Sequence, residues 1–323
     1  MKSNEILLAQ IENYLAQLEL PSEPERLYAP IGYSLAAGGK RIRPMLVMLA
    51  CELFCDRSSV ALPAAAAVEV FHNFTLLHDD IMDNAQVRRG KPAVHVKWDR
   101  NVAILSGDVM MIWAYKLLSQ LPSASLSKIL TEFNTMAAEV CEGQQYDMDY
   151  ETRVKVSMAE YIRMIELKTS VLLGSSAAIG AILGGASDEQ CRVVKRFATE
   201  IGIAFQLQDD LLDSYGDEQL GKAIGGDILE GKQTFLMNSA MSRADEAQRQ
   251  VLRSTHLDAK LTDEQKIAQV KSIFDQLDIP RFTEKQIRSR FDKGLSLLSS
   301  LDVDDERLDN MRSFVEGLIN RKK

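Results

Sequence analysis

The sequence of 323 residues predicts an all-α fold, a single-domain many-helix bundle around a deep central cavity. Apolar residues recur with the 3.6-residue period of a helix along almost the whole chain, and no strand-type alternation has a useful length. Only eight prolines occur, and Pro44, Pro63 and Pro122 each precede a long apolar-periodic segment, as proline does at helix starts. No Ser/Gly linker or low-complexity tract divides residues 1–323, which we therefore expect to form one domain.

The periodic segments and the breaks between them set the expected helices. Breaks fall at Gly38-Gly39, at 88–92, at 119–123 and at 215–226, where Gly, Pro and Ser concentrate. The uncharged run 171–186 is short for a membrane span and rich in small residues, which favours a buried core helix. The predicted helices are 3–18, 24–36, 42–55, 61–84, 101–119, 124–147, 157–184, 188–215, 231–253, 262–277, 282–299 and 304–320.

Composition excludes several classes of function. The chain is 46% hydrophobic and 26% charged, as in soluble globular proteins. A net charge of −8 argues against nucleic-acid binding, which needs a basic surplus. The four cysteines show no CxxC spacing, which fits a reduced compartment, and the N-terminus lacks a signal-peptide pattern. We expect a cytoplasmic protein with no transmembrane segment.

Two copies of one acidic pattern dominate the chain: Asp79-Asp80-Ile-Met-Asp83 and Asp209-Asp210-Leu-Leu-Asp213. On a helix, positions i, i+1 and i+4 fall within an arc of about 100°, so each copy directs three carboxylates from one face. Like charges this close, within strongly apolar surroundings, repel unless a cation lies between them. Hard divalent cations such as Mg²⁺ accept oxygen ligands and bind phosphate with them. Two such faces opposed across one cavity would hold a diphosphate.

Glycines and basic residues accompany both acidic patterns. The segment Gly38-Gly39-Lys40-Arg41-Ile-Arg43-Pro44 combines a glycine turn, three cations and a helix start, which together favour anion binding. By itself the segment could equally be a solvated helix start. Arg88-Arg89-Gly90 follows the first pattern, and Gly221-Lys222 and Gly225-Gly226-Asp227-Ile-Leu-Glu-Gly231-Lys232 follow the second.

Together, from Gly38 to Lys232, these motifs resemble the trans-isoprenyl diphosphate synthases (polyprenyl synthetases), in particular the short-chain geranylgeranyl and farnesyl diphosphate synthases. The resemblance implies an isoprenoid synthase-type bundle, a homodimer, and the condensation of isopentenyl diphosphate with dimethylallyl, geranyl or farnesyl diphosphate. It also implies about three Mg²⁺ ions, hard cations that would join the allylic diphosphate to both aspartate clusters.

The resemblance assigns roles by position. It implies metal binding by Asp79, Asp83 and Asp209, with catalytic support from Asp80, Asp210 and Asp213. The isopentenyl diphosphate site would comprise Lys40, Arg43, His72 and Arg89. The allylic diphosphate and the forming cation would be held by Arg88, Lys168, Thr169, Gln206, Lys222 and Lys232, beside Gln145 and Asp147.

Product length is expected to depend on the residues four and five positions before Asp79, which are Thr75 and Phe74. They lie about 5–8 Å deeper along the helix at 1.5 Å per residue. A bulky Phe74 would form a floor for the growing chain, and in the family an aromatic residue there resembles the geranylgeranyl type. We therefore predict a C20 product, with C15 as the alternative; a Phe74 that only packs against helices would set nothing.

Other interpretations stay open. A non-catalytic subunit of a heteromeric synthase would have lost an aspartate motif or the basic residues, which this chain keeps. A terpene cyclase or head-to-head condensing enzyme would lack the glycine–lysine–arginine segment, and a di-iron bundle would need Glu-x-x-His pairs. Lys168-Thr169 could be an ordinary helix pair, and His72 and His78 could be hydrogen-bonded core residues. The basic C-terminus could be a frayed tail or could close over the substrate.

Overall fold

Helices form almost all of the regular structure. The computed structural model describes residues 2–151, 153, 155–216 and 224–319. Within those ranges the only strands are the two-residue segments Val87–Arg88 and Lys91–Pro92 (β1 and β2), which pair antiparallel. The all-α prediction is confirmed. In chain order the helices are α1 (Asn4–Ala16), α2 (Glu25–Leu35), α3 (Ile42–Glu52), α4 (Leu62–Met82), α5 (Val94–Lys97), α6 (Arg100–Leu118), α7 (Ser123–Glu151), α8 (Met158–Ile165), α9 (Val171–Gly184), α10 (Asp188–Tyr215), α11 (Gly226–Glu230), α12 (Phe235–Arg243), α13 (Glu246–Ser254), α14 (Asp263–Gln276), α15 (Ile279–Ser299) and α16 (Asp305–Ile319).

The chain divides into two compact units, each assembled from three separate stretches. The prediction of a single domain over 1–323 stays a prediction. The first unit comprises Met1–Met136, Leu172–Lys195 and Leu301–Met311, and the second comprises Ala137–Val171, Arg196–Ser300 and Arg312–Lys323.

In the first unit α4 is the central helix and lies against α3 and α6. It begins with Pro63 after a 3₁₀ turn at Ser58–Ala61, and its alanines at 64–67 are all buried. Deeper along α4, Phe71 is fully buried and meets Phe133 edge to face, with ring centroids 5.2 Å apart. The helix ends where the amide of Asp83 donates to the carbonyl of Asp79 at 2.9 Å. The first acidic pattern therefore occupies the last turn of a firmly packed helix.

In the second unit α8 begins with a capping box formed by Ser157 and Glu160. It continues into a π-helical turn, Glu166–Ser170, before α9 begins. Tyr161 on α8 and Phe235 on α12 belong to the same apolar core cluster. The long helix α10 contributes Leu207 to that cluster, which fixes the face of α10 that turns inward.

The predicted helix 231–253 is wrong, because the chain forms two helices there, α12 and α13. Gly231 has a left-handed backbone with φ 68°, and the side chain of Thr234 then caps α12. Asp245 starts α13 with its own capping box to Gln248, so the helical apolar period continues across a true break. Apolar spacing alone did not reveal these two caps.

The run at 171–186 lies within α9 and the turn that follows it, and residues 171–181 are all buried, which confirms the predicted core helix. Among the residues that the structure describes, three helical segments are apolar enough, by length and composition alone, to cross a membrane: Ser58–Met82, Arg100–Leu118 and Met158–Gly184. In their most apolar windows 61%, 39% and 72% of the residues are buried inside the protein. The absence of a transmembrane segment stays a prediction.

Candidate active site

The first triplet, Asp79, Asp80 and Asp83, lies at the end of α4 with its members in three different environments. The side chain of Asp79 is 17% exposed, Asp80 is buried, and Asp83 is exposed. Backbone carbonyls at a helix C-terminus carry partial negative charge, so three added carboxylates make this end strongly attractive to cations.

Arg88, on strand β1, binds the buried member of the first triplet. Its Nε donates to Asp80 Oδ1 at 2.8 Å, and its Nη2 lies 2.5 Å from the same oxygen and 3.3 Å from Asp79 Oδ2. Burial raises the pKa of Asp80, and the guanidinium of Arg88 opposes that rise. Arg88 therefore holds Asp80 inward and leaves Asp79 and Asp83 on the accessible side.

The glycine turn before α3 separates its three cations. Gly38 and Gly39 both have positive φ, and Arg41 follows in the left-handed region. Arg41 is 4% exposed; its Nη1 lies 2.6 Å from Glu69 Oε1 and its Nε lies 2.8 Å from Glu12 Oε1. One of the three cations is thus a buried brace for the fold, whereas Lys40 is exposed.

The other basic residues of this segment form an electropositive cluster. Arg43 Nη1 lies 3.0 Å from His72 Nε2, and Arg89 Nη1 donates to the carbonyl of Gly38. Burial, together with the charges of Arg43, Arg89 and Arg88, holds the pKa of His72 well below its usual range. His72 is therefore neutral beside Arg43, and the site is suited to an anion.

Three further predicted residues of the first unit lie among aromatic groups. Phe74 is half-buried, with ring centroids 5.5 Å from Phe71 and 4.8 Å from His78. Thr75 donates its hydroxyl to the carbonyl of His72 at 2.8 Å. His78 is half-buried and lies 3.1 Å from the carbonyl of Ile104, so it is hydrogen-bonded but does not lie in the core. A floor role for Phe74 and Thr75 stays a prediction.

The second triplet, Asp209, Asp210 and Asp213, lies near the end of α10 and again has its middle member buried. Asp209 is exposed and Asp210 is 4% exposed. Asp210 Oδ2 accepts from the hydroxyl of Tyr161 and from the amide of Phe235 at 2.9 Å. Its other oxygen accepts from Gln206 Nε2 at 3.1 Å. Burial raises the pKa of Asp210 to about 6 despite these three donors.

A cavity of about 160 Å³ in the second unit brings together four of the predicted substrate residues, namely Lys168, Thr169, Gln206 and Lys232. Thr169 donates to Gln206 Oε1 at 3.3 Å, and Lys168 Nζ lies 2.6 Å from Asp147 Oδ2. Lys168 and Thr169 both lie on the π-helical turn, an irregularity that often marks functional positions. The neighbouring α7 approaches so closely at Gly143 that an added Cβ would lie 2.2 Å from the Lys168 amide nitrogen.

Asp227 and Tyr161 also line this cavity, and neither was among the predicted site residues. The amide of Asp227 donates to Asp213 Oδ2 at 3.1 Å, and its carboxylate lies 3.9 Å from Lys232 Nζ. Burial, with the charges of Asp213 and Asp210, raises the pKa of Asp227 to about 7. The Gly-Gly-Asp motif was a usable signal for Asp227, but no local pattern indicated Tyr161.

Two of the predicted site residues are not among those that line this cavity. Lys222 lies outside the described residues, as does the basic C-terminus at 320–323. Gln145 is exposed and donates to Asp149 Oδ1 at 2.8 Å, whereas Asp147 lines the cavity.

The side-chain oxygens of this site can be compared with the ligands that a metal ion needs. Within the described ranges, no three His, Cys, Asp or Glu side chains converge closely enough to hold a metal ion by themselves. The donors are nevertheless hard carboxylate oxygens, and burial, followed by repulsion from Asp213 and Asp210, raises the pKa of Asp227. Mg²⁺ is usually held by one or two carboxylates with water and substrate phosphates. The residues fit Mg²⁺ that binds together with a diphosphate.

The chain is similar to known proteins along its length. The family model for polyprenyl synthetases matches residues 24–276. A geranylgeranyl diphosphate synthase of Methanosarcina mazei is 47% identical over 225 residues, 69% of either chain. A geranylfarnesyl diphosphate synthase of Natronomonas pharaonis is 42% identical over 247 residues, 70% of this chain and 72% of the relative. A crystal structure of a geranylgeranyl pyrophosphate synthase matches with a TM-score of 0.95 and 40% identity over 100% of both chains.

Proposed function

The chain belongs to the polyprenyl synthetase family and is a trans-prenyltransferase, and from that premise we propose a Mg²⁺-dependent condensation of isopentenyl diphosphate with an allylic diphosphate. We further propose geranylgeranyl diphosphate, C20, as the main product. The observation that carries the proposal is the pairing of each acidic triplet with its own cations: Arg88 and the cluster around His72 in one unit, and Lys168 and Lys232 in the other.

Isopentenyl diphosphate is proposed to bind at Lys40, Arg43, His72 and Arg89. Neutral His72 accepts a hydrogen bond from the guanidinium of Arg43 at 3.0 Å, which orients the remaining N–H donors of Arg43 toward the anion. Arg89 reaches the Gly38 carbonyl, which ties this basic cluster to the glycine turn before α3.

The allylic diphosphate is proposed to bind at Arg88, Lys168, Lys222 and Lys232. Asp79, Asp83 and Asp209 would hold Mg²⁺, which supplies charge neutralisation to the departing diphosphate when bound. Lys168 remains oriented by Asp147, and its charge adds to that stabilisation.

Thr169 and Gln206 present dipoles to the allylic cation. Their hydrogen bond fixes the direction of both oxygens, and Gln206 is in turn held by Asp210. The alkene of isopentenyl diphosphate attacks the cation, and the diphosphate released in the first step accepts the proton that is then lost. No protein base is required for this sequence of steps.

Phe74 is proposed to limit the product to C20. The relatives include both geranylgeranyl and geranylfarnesyl synthases, so C25 is the second candidate product, beside the C15 alternative. We also infer a cytoplasmic location and a homodimer. The exposed apolar side chains of Leu105 and Ile112 on α6, each 56% exposed, support the dimer.

The test is turnover by the purified chain with Mg²⁺, labelled isopentenyl diphosphate and each primer, with product mass as the readout. A C20 product that becomes longer in Phe74→Ala is the expected result, because the floor is removed. A C15 or C25 product from the wild type would contradict the proposed chain length but keep the reaction. No product with any primer would favour a non-catalytic partner subunit.

A further inference from the structure

The second unit contains a second cavity of about 770 Å³ that lies beside the one holding Lys168 and Lys232. Its volume is within the range of small-molecule sites, about 300–1,000 Å³. Glu151 and Gln233 line both cavities, so a thin wall of protein separates them.

Part of the lining of this second cavity is apolar. Val156, Met237 and Leu252 line it and are nearly fully buried, and Met158 and Met241 complete the surface. Methionine side chains are flexible and polarisable, so they adapt to an irregular hydrocarbon tail.

The lining also contains a group of cations. Arg153, Lys155, Arg249 and Arg253 line the cavity against one carboxylate, Glu151. Arg249 and Arg253 make only long contacts with a protein carboxylate, whereas Arg153 forms a close ion pair with Glu160. The contacts are Arg249 to Glu246 at 3.4 Å, Arg253 to Glu246 at 3.7 Å, and Arg153 to Glu160 at 2.9 Å. Glu246 is 76% exposed, and solvent-exposed pairs of this kind contribute about 0–1 kcal/mol, so an entering anion can displace them.

We propose that this cavity binds an amphiphile with a phosphate or diphosphate head and an apolar tail. The head lies against Arg249 and Arg253, and the tail lies along Met237, Met241 and Leu252. No part of the proposed reaction uses these residues, so the cavity is a site additional to the candidate active site.

The backbone segment that carries Lys232 also lines this cavity. Gly231 and Gln233 line this cavity, while Lys232 between them lines the other. The His256 ring packs so closely on Gly231 that an added Cβ would lie 2.7 Å from its Cδ2. Asn238, also in the lining, donates to the carbonyl of Gln233 at 3.2 Å. A ligand that contacts His256 or Asn238 therefore lies directly against the segment that carries Lys232.

The test is methyl NMR of the full chain labelled at its thirteen methionines, assigned by Met→Leu substitution. Met237 and Met241 report on this cavity, Met164 reports on the candidate active site, and buried Met48 of the first unit is the reference. The probes are geranylgeranyl diphosphate, dodecyl phosphate and the uncharged alcohol geranylgeraniol, added without divalent cations. The readout does not depend on turnover, so failure of the proposed reaction would leave it interpretable.

The expected result is a saturable shift of Met237 and Met241 with a charged probe. Affinity should fall at least about tenfold, 1.4 kcal/mol, in the double variant Arg249→Gln/Arg253→Gln. Arg192→Gln is the matched control, because Arg192 forms the same i,i+3 pair with Glu189 away from this cavity. Binding of the diphosphate alone identifies a prenyl diphosphate, and equal binding of dodecyl phosphate identifies phosphorylated lipids in general. Shifts at Met164 only, equal binding of the alcohol, or unchanged affinity in the double variant would overturn the proposal.

Discussion

In the first triplet the buried carboxylate accepts from a guanidinium, whereas in the second triplet it accepts from neutral groups. Asp80 is held by Arg88, and Asp210 by Tyr161, Gln206 and the Phe235 amide. The same i, i+1, i+4 pattern is therefore stabilised in two ways. In both, the middle carboxylate is the most buried of the three and anchors the helix end, and the outer carboxylates are more accessible.

The largest expected effect is a loss of turnover when an outer aspartate of either triplet is replaced. Asp209→Asn, like Asp79→Asn, should lower kcat by about 10³-fold, equivalent to about 4 kcal/mol, because a charge facing the diphosphate is removed. Asp209 is exposed, so the midpoint of urea unfolding should not change. Asp292→Asn, at an exposed position on α15, is the control for steady-state kinetics. Full activity in both triplet variants would contradict the proposed roles.

A second experiment tests how much the buried ion pair between Arg41 and Glu69 stabilises the first unit. Arg41→Met should lower the free energy of unfolding by about 3 kcal/mol, because Glu69 would remain buried without its partner. Glu12→Gln should lower it by less than about 1 kcal/mol, since Glu12 is half-exposed. Urea titration measures both, and equal effects would show that the buried pair is not the dominant contact of Arg41.

A third experiment compares the buried carboxylates directly. Asp80→Asn should lower the free energy of unfolding by about 2 kcal/mol, because it removes the closer of the two carboxylates that bind the half-buried guanidinium of Arg88. Asp210→Asn should lower it by about 1 kcal/mol, since an amide oxygen still accepts from Tyr161 and the Phe235 amide. The reverse order in urea unfolding would show that charge pairing does not distinguish the two triplets.

The smallest expected effect is a pH dependence in the first unit. The pKa of His72 is held well below its usual range by burial and by Arg43, Arg89, Arg88 and Arg41, so the folded protein binds fewer protons than the unfolded chain. Stability should therefore be intact above about pH 6.5 and fall below it, by up to about 1.4 kcal/mol per pH unit. The difference in unfolding free energy between wild type and His72→Gln should change over the same range. A difference independent of pH would contradict this assignment.

Much of the candidate site could be predicted from sequence, because helix period and spacing determine which residues share a turn. The ends of α4 and α10 carry the two triplets where the pattern places them. Inward rotation of Asp80 and Asp210 could not be predicted, since it depends on packing between helices. Tyr161 was missed for the same reason: its hydroxyl reaches Asp210 through tertiary contact, 49 positions along the chain.

Two local features of the backbone were not predicted from the sequence, for different reasons. The Thr234 and Asp245 caps were readable in the sequence, but the continuing apolar period concealed the break between α12 and α13. The π-helical turn at Glu166–Ser170 has no sequence signal of comparable strength, because an inserted residue in a helix leaves the surrounding apolar pattern nearly unchanged.

The discontinuous assembly of the first unit has a consequence for biosynthesis. Arg307 donates to the carbonyl of Glu52 at 2.5 Å, and Asn310 donates to the carbonyl of Lys2 at 3.0 Å. At translation rates of about 5–20 residues per second, the earliest helices wait on the order of 15–60 s for these partners to leave the ribosome. Until then the carbonyls of Glu52 and Lys2 lack these donors, so the first unit should reach its full stability only after the last helix has emerged.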